Sequence, residues 1–302
     1  MILNDIQQKI INLKKEKNAL ILAHYYQTMD IQEIADHVCD SFEMARLAHT
    51  AAQKLLVICG VHFMAESAKI LNPDKTVLLP VSDAGCPMAD MIVPKDVLAL
   101  KSFYPKAAVV CYVNSSAAVK AVSDICCTSS SAERIVRSLQ ESQIIFIPDR
   151  NLGAYISSKV PEKEFIFHKG WCPVHDCIVT YDVVSAKEKH PNAKLLTHPE
   201  CKKEVLEKSD FIGSTSEIIK YALDSSKNEF IIGTETGVVE HLKKLAPEKH
   251  FYPLTGSFIC EDMKKVRLED VLFTLENGKY EIILTADEID AAKQSLERMV
   301  NV

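Results

Sequence analysis

Glycine is scarce in this chain, at 9 of 302 residues or about 3%, against roughly 7% in ordinary domains. That argues against glycine-rich loop arrays and against a dinucleotide fold built on G-x-G-x-x-G. There is no dense Lys/Arg block, and the formal net charge is −6. Nucleic acid is therefore not an expected partner, because binding it needs phosphate neutralisation. A small anionic ligand stays compatible, since one local site can oppose the global sign. No apolar run approaches the 18 residues of a membrane span, so no membrane partner is expected. The N-terminal residues lack a basic segment followed by a long apolar run, which argues against a secretory leader. Together these absences predict a cytoplasmic protein.

What is present is an ordinary globular composition, 47% hydrophobic and 25% charged. A chain of this length divides into two or three domains and buries its cores without disulfides. Its 10 cysteines are expected to stay reduced in the cytosol. Several sit inside apolar runs, such as Cys59 and Cys111, where cysteine is a small buried hydrophobe.

Short apolar runs alternate with amphipathic stretches along the whole chain. Strands are expected at 19–23, 55–59, 77–79, 108–112, 144–147, 164–167, 194–197, 230–232 and 251–254. Helical patterns fall at 31–51, 95–103, 131–139, 181–189, 216–223 and 238–245. Such alternation predicts βαβ units and parallel sheet. The nine strands form three sets of three, and fixed spacings tie the sets together. His24, Tyr112 and His198 end the first strand of each set, 88 and 86 residues apart. Tyr26, Asn114 and Glu200 share that spacing, as do Ser41, Ser129 and Thr215. A cysteine follows the third strand of each set: Cys86, Cys172 and Cys260, spaced 86 and 88. Asp96, Asp182 and Asp270 follow ten residues later. The repeat register thus selects three of the ten cysteines. The expected domains are 1–86, 87–172 and 173–260, with a tail, 261–302, packing back on the first repeat. Within the tail, Ile289, Ala292, Leu296 and Met299 make one apolar helix face.

Ligands of parallel α/β sheets bind beyond the carboxyl ends of the strands, where all these polar residues fall. Three similar domains would point those ends at a common axis and bring the three cysteines together. Structural zinc prefers four ligands in tight pairs, and no C-x-x-C pairing joins Cys86, Cys172 and Cys260. A [4Fe–4S] cluster on three thiolates leaves one iron open to act as a Lewis acid. His175, in Cys172-Pro-Val-His175, is either a fourth ligand, a neighbour of the cluster or a helix cap. Ser41, Ser129 and Thr215 read as helix N-caps facing one centre, a setting for carboxylate or phosphate groups. His24 and His198, with the two tyrosines and Glu200, read as acid–base equipment, and Glu200 is the best candidate base.

The segments Ala23-His24-Tyr25-Tyr26-Gln27, Asp40-Ser41, Met64-Ala65-Glu66, Tyr112-Val113-Asn114-Ser115, Cys172-Pro173-Val174-His175, His198-Pro199-Glu200-Cys201, Gly213-Ser214-Thr215 and Cys260-Glu261-Asp262-Met263-Lys264 together resemble the quinolinate synthase family over essentially the whole chain. The resemblance implies a condensing and dehydrating transferase of NAD biosynthesis. Its substrates would be iminoaspartate and dihydroxyacetone phosphate, and its products quinolinate, phosphate and water. It implies one oxygen-sensitive [4Fe–4S] cluster on Cys86, Cys172 and Cys260. It also implies three similar three-layer αβα domains with short parallel sheets about a pseudo-threefold axis. Active-site positions carry over to His24, Tyr26, Ser41, Tyr112, Asn114, Ser129, His198, Glu200 and Thr215. An oxidase or dehydrogenase supplying the imine is the implied protein partner. Many family members have Asn where this chain has Tyr25 and Gly where it has Cys39. Tyr25 is expected to point away from the site, because strand neighbours alternate faces. A cluster-bearing redox or iron sensor is the rival reading, but a sensor needs no anion-binding constellation. A Schiff-base lyase is disfavoured because no lysine occupies the repeated strand-end positions.

Overall fold

The computed structural model describes residues 4–301; Met1–Leu3, part of the stretch read above against a leader, and Val302 lie outside the described residues. Helix α1 (Asp5–Glu16) precedes β1 (Ala19–His24), α2 (Met29–Ile34), β2 (His37–Cys39), α3 (Ser41–Thr50), β3 (Leu55–Cys59), α4 (His62–Leu71) and β4 (Thr76–Leu78). The second unit runs α5 (Pro94–Phe103), β5 (Ala108–Tyr112), α6 (Ala117–Ala121), β6 (Ile125–Cys127), α7 (Ala132–Ser138), β7 (Gln143–Ile147), α8 (Arg150–Lys159) and β8 (Glu164–Phe167). The third repeats that order: α9 (Pro173–Asp176), α10 (Thr180–Lys189), β9 (Lys194–Thr197), α11 (Lys203–Leu206), β10 (Phe211–Ile212), α12 (Thr215–Asp224), β11 (Glu229–Gly233), α13 (Gly237–Leu245) and β12 (His250–Pro253). Helices α14 (Glu261–Lys264), α15 (Leu268–Asn277) and α16 (Ala286–Asn301) follow.

Three four-stranded parallel sheets result, ordered β2-β1-β3-β4, β6-β5-β7-β8 and β10-β9-β11-β12. Their registers agree: Ala19 pairs with Leu55, Ala108 with Ile144 and Lys194 with Phe230, 36 residues apart each time. Every residue of β1 and of β5 is buried, as expected for parallel sheets covered on both faces. In β1, Leu20 and Leu22 join the core with α3 and α4, whereas Ile21 and Ala23 join the core with α1 and α15. Alternate side chains thus enter opposite layers, which is the αβα sandwich. Each fully buried leucine or isoleucine there contributes about 1.5–3 kcal/mol.

The sequence led us to expect three strands per sheet, and the structure has four. The extra strand, β2, β6 or β10, is only two or three residues long, too short to carry a hydrophobic period. It also splits the helix expected over 31–51. Asp36 stops that helix: its carboxylate accepts the Ile21 N–H at 2.8 Å. Asp124 and Asp210 do the same for Val109 (2.7 Å) and Leu195 (2.9 Å). Two further fixings recur in register. Asp96, Asp182 and Asp270 accept the N–H of Val93, Val179 and Arg267 at the starts of α5, α10 and α15. Lys75 donates to Ala48 O and Ala51 O, Lys163 to Leu139 O and Glu141 O, and Lys249 to Ala222 O, Leu223 O and Ser225 O. These satisfy the orphan carbonyls that end α3, α7 and α12.

Helix α15 packs on α1, and α16 lies across α4, α6 and β6, so its apolar face touches the first and second units. Ile289, Ala292, Leu296 and Met299 are all buried there. The apolar run over 280–284 also leads one to expect a strand, but it forms a single antiparallel bridge, Leu78 to Glu281. The positive φ of Tyr280, 63°, breaks the extended run just after Gly278 has closed α15.

Candidate active site

The strand ends carry the chemistry. His24 and Tyr112 are the last residues of β1 and β5, and His198 follows β9 directly. Tyr26, Asn114 and Glu200 come two residues later. Ser41 and Thr215 are the first helical residues of α3 and α12, not their caps. Capping falls to Asp40, which accepts the Glu43 N–H at 3.0 Å, and to Ser214, which accepts the Glu217 N–H at 3.3 Å. Ser129 lies three residues before α7, in a turn where Ser131 Oγ accepts the Thr128 N–H at 2.9 Å. The expected capping role of Ser41 and Thr215 is thus taken by their neighbours, whereas α7 has no side-chain cap and Ser129 lies outside it. Capping uses the side chain just before the first turn, and the repeat register had marked the wrong member of each pair.

His24, Tyr26, Ser41, Tyr112, Asn114, Ser129, His198, Glu200 and Thr215 all line one small pocket of about 50 Å³. Cys86, Cys172 and Cys260 line a second cavity of about 270 Å³, with walls that include Val61, Phe63, Pro87 and Met88. Tyr26, Asn114, Glu200 and Met263 border both. Among the described residues, no lysine or arginine lines either cavity. Tyr25 is edge-on to His241 at 4.9 Å and lines neither cavity.

A hydrogen-bonded chain joins the two cavities. Tyr26 OH lies 3.2 Å from Thr215 Oγ1 and 2.8 Å from Thr234 Oγ1. Thr234 Oγ1 lies 3.0 Å from His175 Nε2, and His175 Nδ1 lies 2.8 Å from Glu200 Oε2 and 3.3 Å from Cys172 Sγ. Cys172, His175 and Glu200 therefore form a tight donor cluster. Glu200 Oε1 and Asn114 Oδ1 are buried without a protein partner, which is what a site awaiting a polar ligand presents.

Electrostatics assigns protonation states. Burial, reinforced by His198 and Lys264, pushes the His24 imidazole down to about 3. Burial likewise pushes His198 down to about 4. Both rings are neutral at pH 7. His24 Nδ1 accepts the Tyr26 N–H at 3.2 Å, and His198 Nδ1 accepts the Glu200 N–H at 3.3 Å. Each ring therefore keeps its proton on Nε2, and His198 Nε2 sits 3.3 Å from Ser129 Oγ. Burial alone would raise the Glu200 carboxyl, but His198, His175 and the Tyr112 hydroxyl outweigh it and hold it at about 2. Burial, with Glu200 nearby, raises the Tyr26 and Tyr112 phenols well above their ordinary value.

The three register-selected thiols are an appropriate donor set for a cationic centre. Burial pushes Cys86 up to about 12 and Cys260 up to about 11, and raises Cys172 as well. With no lysine or arginine in the cavity wall, thiolates there need positive charge from a metal centre. All ten cysteines are free.

Four residues to which the sequence reading gave no role belong to this region, Met263 among them although it lies in one of the motifs quoted above. Thr234 links Tyr26 to His175. Met263 walls both cavities. Asp149 and Glu235 are fully buried and accept the backbone N–H of Cys172 (3.0 Å) and Cys260 (3.5 Å). A signal for the last two existed: each stands just beyond the second apolar run of its repeat, and they lie 86 residues apart, the spacing of Tyr112 and His198.

The chain matches the family model described as "Quinolinate synthetase A protein" over residues 8–301. It is 50% identical over 302 residues to a protein named quinolinate synthase from Caldicellulosiruptor saccharolyticus, covering 100% of both chains. It is also 50% identical over 295 residues to the quinolinate synthase of Clostridioides difficile, covering 98% of this chain and 97% of that one. A Clostridium perfringens protein of the same name matches at 50% over 295 residues, 98% of each. Half of all positions shared end to end, on a framework whose repeated strand ends converge on two adjoining cavities, place the chain in the quinolinate synthase family of enzymes.

Proposed function

We propose that this chain condenses iminoaspartate with dihydroxyacetone phosphate to give quinolinate, phosphate and water, with one [4Fe–4S] cluster held by Cys86, Cys172 and Cys260. The observation that carries the reading is the shared wall. Glu200, Tyr26 and Asn114 border both the thiol cavity and the polar pocket. When bound, a cluster on three cysteines offers one iron without a protein ligand, a Lewis acid that polarises substrate oxygen.

The chain's own residues bind and move protons. The substrates bring two carboxylates and a phosphate to a pocket without cationic side chains. Backbone N–H groups at the starts of α3 and α12, with the hydroxyls of Ser41, Ser129 and Thr215, are the groups that meet them. His24 and His198, neutral with the proton on Nε2, donate hydrogen bonds to the substrate, and His198 joins the acid–base set with Glu200. Glu200, held as a carboxylate, is the base. Its low value makes it a weak one, and an anionic substrate beside it raises that value toward the working range. Thr234 and His175 relay protons between Glu200 and the Tyr26 hydroxyl, and Tyr112 and Asn114 orient the intermediate. The imine is unstable in water, so an oxidase or dehydrogenase must supply it nearby in the cytoplasm.

Anaerobic purification with iron and sulfide assays, followed by a quinolinate assay, tests the reading. About four irons and four sulfides per chain and quinolinate formation from both substrates are expected. Cluster without turnover would return the chain to the sensor reading, and turnover without iron would remove the cluster from the chemistry.

A further inference from the structure

We propose that Asp149 and Glu235 are positioning residues that hold Cys172 and Cys260 in place through the cysteines' own backbone N–H groups. The inference rests on the cluster reading above. Both carboxylates stand two residues beyond the third strand of their sheets, β7 and β11. Each divides its oxygens between two tasks. Asp149 Oδ1 accepts the Leu152 N–H at 2.8 Å, where α8 begins, and Oδ2 accepts Cys172 N–H at 3.0 Å. Glu235 Oε2 accepts the Gly237 N–H at 2.7 Å, where α13 begins, and Oε1 accepts Cys260 N–H at 3.5 Å.

Helix capping alone does not explain these residues. A serine caps as well as an aspartate, and burying a carboxylate is costly unless both oxygens are satisfied. The first repeat shows what happens without one. Val61 occupies the equivalent position, 88 residues before Asp149, and offers no acceptor. There the acceptor arrives from the tail: Asp262 Oδ1 takes the Gly85 N–H, beside Cys86, at 3.3 Å. Each cysteine loop therefore has a carboxylate on a backbone N–H at the cysteine or next to it. Glu235 also pairs with Lys264 Nζ at 2.9 Å, and that ammonium donates to Tyr26 O at 2.6 Å. The Cys260 loop is thereby tied to the strand end that presents Tyr26. Metal ligands held by outer partners of this kind typically lose 10–100-fold in metal affinity when the partner is removed.

The test is the rate at which the anaerobic holoenzyme releases iron to a ferrous chelator, followed with the cluster's visible absorbance. Asp149→Ser keeps an α8 cap but cannot reach Cys172. Asp149→Asn keeps the size but must set an amide N–H against an N–H. Glu235→Gln does the same at the other loop. Release at least about tenfold faster is expected from Asp149→Ser, and faster still from Asp149→Asn, with thermal midpoints close to wild type for Asp149→Ser. Val136→Ala, a core change in α7 away from both cavities, controls for stability and should leave release unchanged. Wild-type release rates in Asp149→Ser and Glu235→Gln would overturn the proposal, as would equal acceleration by Val136→Ala. A wild-type chain that takes up no iron would instead overturn the cluster reading itself.

Discussion

The two cavities that meet at Glu200 draw on the same three repeats and treat them in opposite ways. In the thiol cavity the repeats agree, each giving one cysteine after its last strand. In the polar pocket they keep the position and change the residue: His24, Tyr112 and His198 at one level, Tyr26, Asn114 and Glu200 at the next. Equal ligands suit a symmetric inorganic centre, and unequal ones suit a substrate whose ends differ. The walls differ accordingly. Val61, Phe63 and Met88 surround the thiols, whereas hydroxyls and neutral imidazoles surround the pocket.

The comparison breaks most visibly at the cysteines. Alanine at Cys86, Cys172 or Cys260 should abolish stable cluster assembly and with it turnover, read as iron content and visible absorbance without oxygen. Alanine at Cys59, Cys111, Cys126, Cys127 or Cys201, all buried away from the thiol cavity, should leave the cluster in place and cost packing energy only. A cluster surviving loss of Cys86 would separate the repeat register from the metal site.

Glu200→Gln comes next. It should retain iron and fold but lose roughly 10²–10⁴-fold in quinolinate formation. Near-normal turnover would move the base along the chain to His175 or Tyr26.

A third measurement concerns acid. The folded imidazoles of His24 and His198 lie at about 3 and about 4, below their ordinary 6.5. The unfolded chain therefore binds more protons between pH 6.5 and 4. Their contribution to stability is full above pH 7 and falls as pH drops through that window. Below pH 6.5 each should remove up to about 1.4 kcal/mol per pH unit. Urea midpoints between pH 7.5 and 5.5 should show this slope, and His198→Gln should flatten it. An unchanged slope would mean that His198 is protonated in the folded protein.

The smallest effect is expected at Thr215→Ala. Ser214 still caps α12, so stability should move by less than about 0.5 kcal/mol. Loss of the hydroxyl beside Tyr26 should weaken a pyridine dicarboxylate about three- to tenfold by calorimetry. Unchanged affinity would confine Thr215 to packing.

Much of this was legible before any coordinates. Nine strands announced themselves as apolar runs, and spacings of 86 and 88 residues picked out three cysteines that line one cavity and nine residues that line the other, although Asp40, Phe42, Met64, Thr128 and Met263 line it as well. What stayed hidden has a common cause. The second strand of each sheet is held by a carboxylate fifteen residues from its backbone partner, as Asp36 is for Ile21, and has no period of its own. Asp149, Glu235 and Thr234 matter through hydrogen bonds to segments 23 to 208 residues away, which no local pattern encodes. The caps were misplaced by one residue because Asp40-Ser41 and Ser214-Thr215 each offer two good capping side chains, and only backbone geometry decides between them.

Lys75 and Lys249 give the pocket a dependence on distant chemistry. Each secures the last carbonyls of a helix, α3 or α12, whose first residue borders the pocket ten residues, about 15 Å, away. Acylation of either ammonium would strip the charge and at least two donors from a helix end and loosen its grip on the sheet. A pocket without a cationic side chain in its wall would then register, through the length of a helix, the acylation state of lysines it never touches.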